Sequence, residues 1–406
     1  MIDPSTSRTP WYRSMRPRSR DEPHRASTPL ELLFDLCFVV AVARAGAGLE
    51  HGIAEGQAGP AVASYAMVFF AIWWAWMNFT WFASAYDTDD VPYRLGVMVQ
   101  IAGSLVLAAG VTPAFEPQQQ GNYVVLVIGY VVMRLATVGN WVRAARADPE
   151  RRTTAYRYAL GIVLVQLGWV GRLWLPDGLA VASFVALALL ELAIPAVAER
   201  TGVTPYHPGH IIERYGLFTT IVLGESVVAV VLTVEAAVEE ADHRATLVVL
   251  AIAGICILFS MWWLYFDKPA QNVLYSLRSS LVWGYGHYLI FTSIAAVGAG
   301  LAVFAEHDAG EIEVSARTAG TLVAVPVAVF LVVVWALHLR RRHTPAASAA
   351  FPVTAGLVLL APFTGAAVYV VAVLLMALGT LTVVTSRGPA DRTAAPARPD
   401  RPAAAR

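Results

Sequence analysis

Twelve apolar stretches separated by short polar breaks run through this 406-residue chain. A helix needs roughly 20 apolar residues to cross a bilayer, and most of the stretches reach that length. They lie near 30–49, 61–82, 94–115, 123–143, 156–175 and 179–198, then near 214–234, 246–266, 281–304, 318–339, 346–361 and 366–385. With 57% hydrophobic and 14% charged residues, the chain has too little polar surface for a soluble globule of its size. It reads as an all-α integral membrane protein of about twelve transmembrane helices. The eleventh stretch is the weakest, being short and holding Pro352.

Two tryptophan pairs, Trp73-Trp74 and Trp262-Trp263, each follow an acid set in an apolar run, Asp35 and Glu225. The offsets are 189 and 190 residues in a chain with 12 tryptophans, which points to an internal duplication. Other features recur in the same way. The turn Leu175-Pro176-Asp177-Gly178 has a counterpart in Ala361-Pro362-Phe363-Thr364-Gly365, and Ser104 and Ser293 each lie in a small-residue run suited to close helix packing. The expected organisation is an Arg-rich tail over residues 1–29, a first six-helix repeat over 30–200, a second over 201–385, and a disordered tail over 386–406 rich in Ala, Pro, Arg and Asp.

Charge is unevenly placed. Arg143, Arg146, Arg151, Arg152 and Arg157 crowd the connection after the fourth stretch, and Arg340, Arg341 and Arg342 that after the tenth. Glu235, Glu239, Glu240 and Asp242, with Glu306, Asp308, Glu311 and Glu313, mark the other side. The positive-inside rule then puts both termini in the cytoplasm of a bacterial cell membrane. An even helix count per unit makes the two repeats parallel, related by a pseudo-twofold axis along the membrane normal. The first 29 residues carry six arginines and no small-residue cleavage site before the first stretch, so no cleaved signal peptide is expected. Cys37 and Cys256 both lie in apolar segments, and neither a disulfide nor a zinc site is expected.

The candidate site residues are charges inside apolar runs. Glu31 and Asp35 are four apart and share a helical face. An ionised aspartate at that depth costs on the order of 3 kcal/mol on insertion scales unless water or a partner meets it. Asp35 is therefore either a structural ion pair or helix cap that fixes packing, or a pathway carboxylate. Arg44 lies on the opposite face and snorkels to the interface. His210, Glu213 and Arg214 fall on one face at the start of the seventh stretch, the richest polar cluster in the chain, and read either as a solvated juxtamembrane group or as part of a path. Glu225, deeper and flanked by Gly224 and Ser226, reads as functional.

His287, within Gly284-Tyr285-Gly286-His287-Tyr288, suits a proton relay or a hydrogen-bonded structural role. Arg134 is a candidate counter-ion for one of the carboxylates. Trp73, Trp74, Trp262 and Trp263 read as an interfacial belt and packing, with an aromatic pore mouth as the alternative, Asp87 and Asp267 drawing cations inward. A His and a Glu three apart could ligate a metal, but the bundle motif needs two such pairs. No nucleophile elbow, phosphate loop or metal-ligand set occurs, so neither an enzyme, a metal nor a cofactor is expected.

The run Glu31-Leu32-Leu33-Phe34-Asp35-Leu36-Cys37-Phe38-Val39, the run from His210, Glu213 and Arg214 into Leu223-Gly224-Glu225, and the later Trp262-Trp263 and Gly286-His287 resemble the bacterial low temperature requirement protein A family. The likeness covers residues 28–385, with Leu33 where an aromatic is usual. It implies a polytopic membrane protein tied by name to growth in the cold, and no settled biochemical activity. A weaker similarity links Phe34-Asp35-Leu36-Cys37-Phe38 to the first helix of potassium channels with a Phe-Ser-Asp signature, whose serine is missing here.

The expected function is a transporter or channel for a small cation or a proton, with Asp35 and Glu225 lining the path. The alternative is a membrane scaffold or sensor in cold or envelope stress. The lipid bilayer is the expected partner, no nucleic acid is expected, and a homo-oligomer is left open.

Overall fold

Helix starts and stops follow the polar punctuation of the sequence. The first helix, α1 (Pro29–Ala54), opens on a capping box in which the Thr28 hydroxyl accepts from the Glu31 N–H while the Glu31 carboxylate accepts from the Thr28 N–H, with Pro29 at the first helical position. Among the described residues twelve more follow: α2 (Ala58–Tyr86), α3 (Val91–Ala109), the short α4 (Val111–Phe115), α5 (Val124–Ala147), α6 (Arg152–Gly171), α7 (Ala180–Ala198), α8 (Pro208–Glu239), α9 (Arg244–Phe266), α10 (Leu277–Ala309), α11 (Ala316–Val334), α12 (Pro345–Leu360) and α13 (Ala367–Ser386). This computed structural model describes residues 11–386 apart from 20–21, 23–24, 117–121, 240–242, 269–273 and 341–342. The tail beyond Ser386, Glu240, Asp242, Arg341 and Arg342 thus lie outside the described residues.

All twelve apolar stretches are helical, and among the described residues eleven helices are long and apolar enough to cross a membrane. The exception among the long ones is α6, which carries Arg152, Arg157 and Gln166. The protein is an all-helical, multi-pass membrane protein. The weak eleventh stretch forms α12 with Pro352 inside it. Both expected turns between helices are present, the second closing at Gly365 with φ 71°, a left-handed conformation that glycine adopts without strain.

In the first half α3 packs on α5, α5 on α6 and α6 on α7; in the second α10 packs on α11, α11 on α12 and α13 on α9. The halves meet where α1 and α2 pack on α8 and α10. Tyrosine hydroxyls stitch this seam: Tyr65 donates to the Thr292 carbonyl at 2.7 Å, and Tyr288 to that of Ala66 at 2.8 Å. Small residues permit the close approaches anticipated around Ser104 and Ser293. A Cβ on Gly103 would stand 3.0 Å from the Gly129 carbonyl of α5, and one on Gly298 3.0 Å from the Ser226 backbone of α8. That approach lets the Ser226 hydroxyl donate to the Ile294 carbonyl at 2.9 Å.

The start of α1, the end of α2, the start of α3, the end of α5 and the start of α8 share one end of the bundle. Arg143 bonds Asp90 at 2.7 Å, Tyr86 donates to Asp148 at 3.0 Å, and the His207 N–H donates to the Ser84 hydroxyl at 2.9 Å. This is the arginine-rich end. The described part of the Arg-rich tail is docked across it: the Arg18 N–H donates to the Ala85 carbonyl at 2.9 Å, and the Arg13 N–H to Asp90, also at 2.9 Å. Burial opposes ionisation of Asp90, but those N–H donors and Arg143 prevail and hold its carboxyl below the usual range.

The register of the two halves differs from the one the tryptophans suggest. Pro29 and Pro208 open α1 and α8 at an offset of 179, and Asp87 and Asp267 follow α2 and α9 at an offset of 180. At 189, Trp73-Trp74 fall mid-helix in α2 whereas Trp262-Trp263 fall in the last turns of α9. The two pairs are therefore not equivalently placed, and neither are Asp35 and Glu225. The helix order is compatible with two six-helix units, set in register by their helix starts.

Candidate functional site

Six residues into α1 stands Asp35, and six into α8 stands Arg214, each about 9 Å along its helix at 1.5 Å per residue. Because α1 and α8 start at the same end of the bundle, the two meet. The Arg214 Nε donates to Asp35 Oδ2 at 3.0 Å and Nη2 to Oδ1 at 2.5 Å, with both side chains wholly buried. One turn nearer the helix starts, Glu31 meets Arg214 Nη1 at 3.1 Å and His210 Nε2 at 3.2 Å. The Trp76 indole of α2 donates to Asp35 at 2.7 Å. A fork of this kind satisfies a carboxylate bidentately, and two parallel helix starts present positive dipole ends that favour these acids.

The docked segment completes the network. Arg25 donates to the Ser84 and Ala83 carbonyls at 2.6 and 2.9 Å, capping α2, and lies 3.4 Å from Asp87 and 3.8 Å from Glu31. Asp87 is thereby paired. Burial, then the charge of Glu31, push its carboxyl up to about 6 against the pull of Arg25 and Arg18. Glu213 is half-buried and accepts from the Ser27 N–H at 3.1 Å. The cluster read as either solvated or part of a path is thus split: His210 and Arg214 are 0% exposed, and Glu213 anchors the segment before α1.

A second buried centre was not singled out from sequence. Glu191 of α7, 0% exposed, accepts from five donors: Arg134 Nη2 at 2.7 Å, Trp74 at 2.8 Å, Tyr130 at 2.9 Å, Gln166 at 3.1 Å and Trp169 at 3.4 Å. Arg134 thus has its carboxylate partner, and it is neither Asp35 nor Glu225. The signal was available, since Glu191 is the one acid in the apolar run Ala180–Ala198, the argument already applied to Asp35.

Trp73 and Trp74 are 1% and 0% exposed in the middle of α2, so they take the packing half of that reading and form neither belt nor mouth, because α2 is enclosed by both halves. Trp262 and Trp263 are 45% and 48% exposed on the last turns of α9, as an interfacial belt would be. Asp267 lies 2.9 Å from His343. His287 is 0% exposed, with Nδ1 2.7 Å from the Trp283 carbonyl and Nε2 3.0 Å from the Tyr265 hydroxyl. Its neighbour His338, accepting from the Trp283 indole at 3.0 Å, sits in a one-turn π-helix, Trp335–Leu339. Arg44 is exposed.

Glu225 stands apart from all of these. It is seventeen residues into α8, about 25 Å from the helix start, and half-buried on the wall of a cavity of about 130 Å³ between α1, α8 and α10. Gly46, Glu50, Ser226 and Gly298 share the wall, and Glu50 reaches Glu306 of α10. Between this cavity and Asp35 the seam is closed by aromatic packing: Trp76 stacks on Phe218 at 4.3 Å and meets Phe291 at 5.7 Å. Asp35 and Glu225 thus belong to two sites on one pair of helices. Among the described residues, no group of three or more His, Cys, Asp or Glu is placed to hold a metal ion.

The chain is similar to an uncharacterized protein of Rhizobium meliloti (strain 1021), 26% identical over 309 residues that span 70% of this chain and 71% of that protein. The family model of the bacterial low temperature requirement A protein matches residues 26–386, a range that takes in the α1–α8 network, the Glu191 centre and the Glu225 cavity. The chain belongs to the bacterial low temperature requirement A family.

Proposed function

We propose that the protein moves a small inorganic cation or a proton across a bacterial cell membrane, along the seam where α1 and α8 meet α10. The observation that carries this reading is Glu225, a half-buried carboxylate on a cavity wall within the apolar part of the bundle, facing the other half. An acid at membrane depth is kept where it meets water, a partner or a passing ion, and the cavity, at about 130 Å³, has room for several waters. The repeat-interface location fits the plan of doubled helical transporters.

In this reading Asp35 is a lock rather than a lining group. Its pair with Arg214, the Glu31–His210 contact and the Phe218–Trp76 stack close the path between the Glu225 cavity and the arginine-rich end. Opening requires the Asp35–Arg214 pair to part, which protonation of Asp35 or arrival of a cation beside it would favour. The arginine-rich end faces the cytoplasm by the positive-inside rule, which places both termini there and makes the two six-helix units parallel.

One feature favours the alternative of a membrane scaffold or sensor. Asp35 is fully paired and wholly buried, an arrangement that also suits a purely structural clasp. Flux of potassium and of protons into proteoliposomes, tested separately with the purified chain, decides between the two. Transport predicts flux above empty liposomes for one of these ions, and folded, inserted protein that moves neither contradicts it.

A further inference from the structure

A cavity of about 40 Å³ opens at the arginine-rich end of the first half, between α2, α5, α6 and the start of α10. Five aromatic side chains line it, Trp74, Trp81, Trp141, Tyr158 and Tyr206, together with the carboxylate-bearing Glu199. No residue of this wall belongs to the Asp35 network or to the Glu225 cavity. From these aromatic rings and one buried acid, the geometry points to a binding site for an organic cation, a primary or methylated ammonium head group.

The wall is firmly built. Trp141 stacks on Tyr158 with ring centres 4.1 Å apart and planes 5° from parallel, and Trp81 meets Tyr206 edge-on at 4.8 Å. Trp74 is held from behind by its indole bond to Glu191. Glu199 is 5% exposed and accepts from the Tyr158 hydroxyl at 2.9 Å and from the Thr204 N–H and hydroxyl, both at 2.7 Å. All three donors are neutral, so they fix the carboxylate without cancelling its charge. The neighbouring cation Arg151 acts on Glu199 through space, while its direct ion pairs are to Asp148 at 3.2 Å and Glu150 at 3.3 Å.

A buried carboxylate bonded by neutral donors and set beside several π-systems attracts a cation, because aromatic faces are electronegative and the effect grows when water is excluded. An inorganic ion would need several oxygen ligands, whereas the hydroxyls on this wall are already engaged, those of Tyr158 and Thr204 with Glu199 and that of Tyr206 with Ser280. A compact ammonium matches both the apolar wall and the single charge. The size is restrictive: the cavity exceeds the space of one water and excludes a bulky ligand. Half-buried Asn78, Trp81, Leu277 and Leu281 form the side on which it reaches the surface.

The test uses the full chain in detergent, titrated with choline, with its uncharged carbon isostere 3,3-dimethyl-1-butanol and with sodium chloride at matched ionic strength. Tryptophan fluorescence and melting temperature are the two readouts. A saturable response to choline alone is expected, weakened about tenfold or more in Glu199→Gln and several-fold in Trp81→Leu. The second variant keeps the buried acid in place and serves if the first does not fold. No saturable response to choline, an equal response to the isostere, or affinity unchanged in the folded variants would overturn the proposal. Because binding is read without transport, the result stands apart from any outcome of the flux assay.

Discussion

Asp35 and Arg214, 179 residues apart, meet through two hydrogen bonds at 3.0 and 2.5 Å, each six residues into its own helix. A pair this deep is held by geometry, since taking two charges out of water opposes it and only good hydrogen bonding offsets that loss.

Breaking one partner should therefore be severe. Asp35→Asn is expected to destabilise the protein by about 3–5 kcal/mol, because Arg214 keeps its charge and loses its best acceptor. Asp35→Leu combined with Arg214→Met should be milder than the sum of the single changes. Thermal unfolding of the native chain, Asp35→Leu, Arg214→Met and the double variant in one detergent gives the coupling, and additive effects would contradict the pair.

The same logic ranks the carboxylates. Glu191→Gln strands Arg134 among four neutral donors and should lower stability by a similar amount to Asp35→Asn. Glu225→Gln, half-buried on a cavity wall with no ion-pair partner among the described contacts, should fall within about 0.5 kcal/mol of the native protein. Equal losses at the two glutamates would contradict the pairing of Glu191 with Arg134 as the more stabilising of the two sites.

Reading the chain alone finds Glu31, Asp35, His210 and Arg214, since a charge within an apolar run is conspicuous at any position. It does not reveal that these four bond one another, because the contact joins two helices through tertiary packing and no local spacing encodes it. Glu191 is as conspicuous by that rule, but nothing in its own helix shows what it meets; its five donors come from α2, α5 and α6. The tryptophan pairs misled for a related reason. Tryptophan serves both a buried core and an interface, and sequence does not separate the two until the helix ends are placed.

Asp87 gives a pH signature outside the apolar spans. Its carboxyl is pushed up to about 6 in the folded protein, first by burial and then by the charge of Glu31, from an ordinary value of 3.8. The folded state thus holds the proton more tightly than the unfolded state does. Stability from this group falls as pH rises from about 4 to about 6 and is level above that, the whole change being of order 3 kcal/mol. The melting temperature of the native protein minus that of Asp87→Asn should decline across this window. A difference independent of pH would rule out the assignment.

The central claim is that a cation or proton passes Glu225. The direct measurement is flux into proteoliposomes for the native chain and for Glu225→Gln, a change expected to leave the fold intact, with both proteins checked for equal insertion. The account predicts potassium or proton flux in the native chain and its loss in the variant. Native flux that the variant retains undiminished would take Glu225 off the path, and absence of either flux from folded native protein would favour the scaffold or sensor.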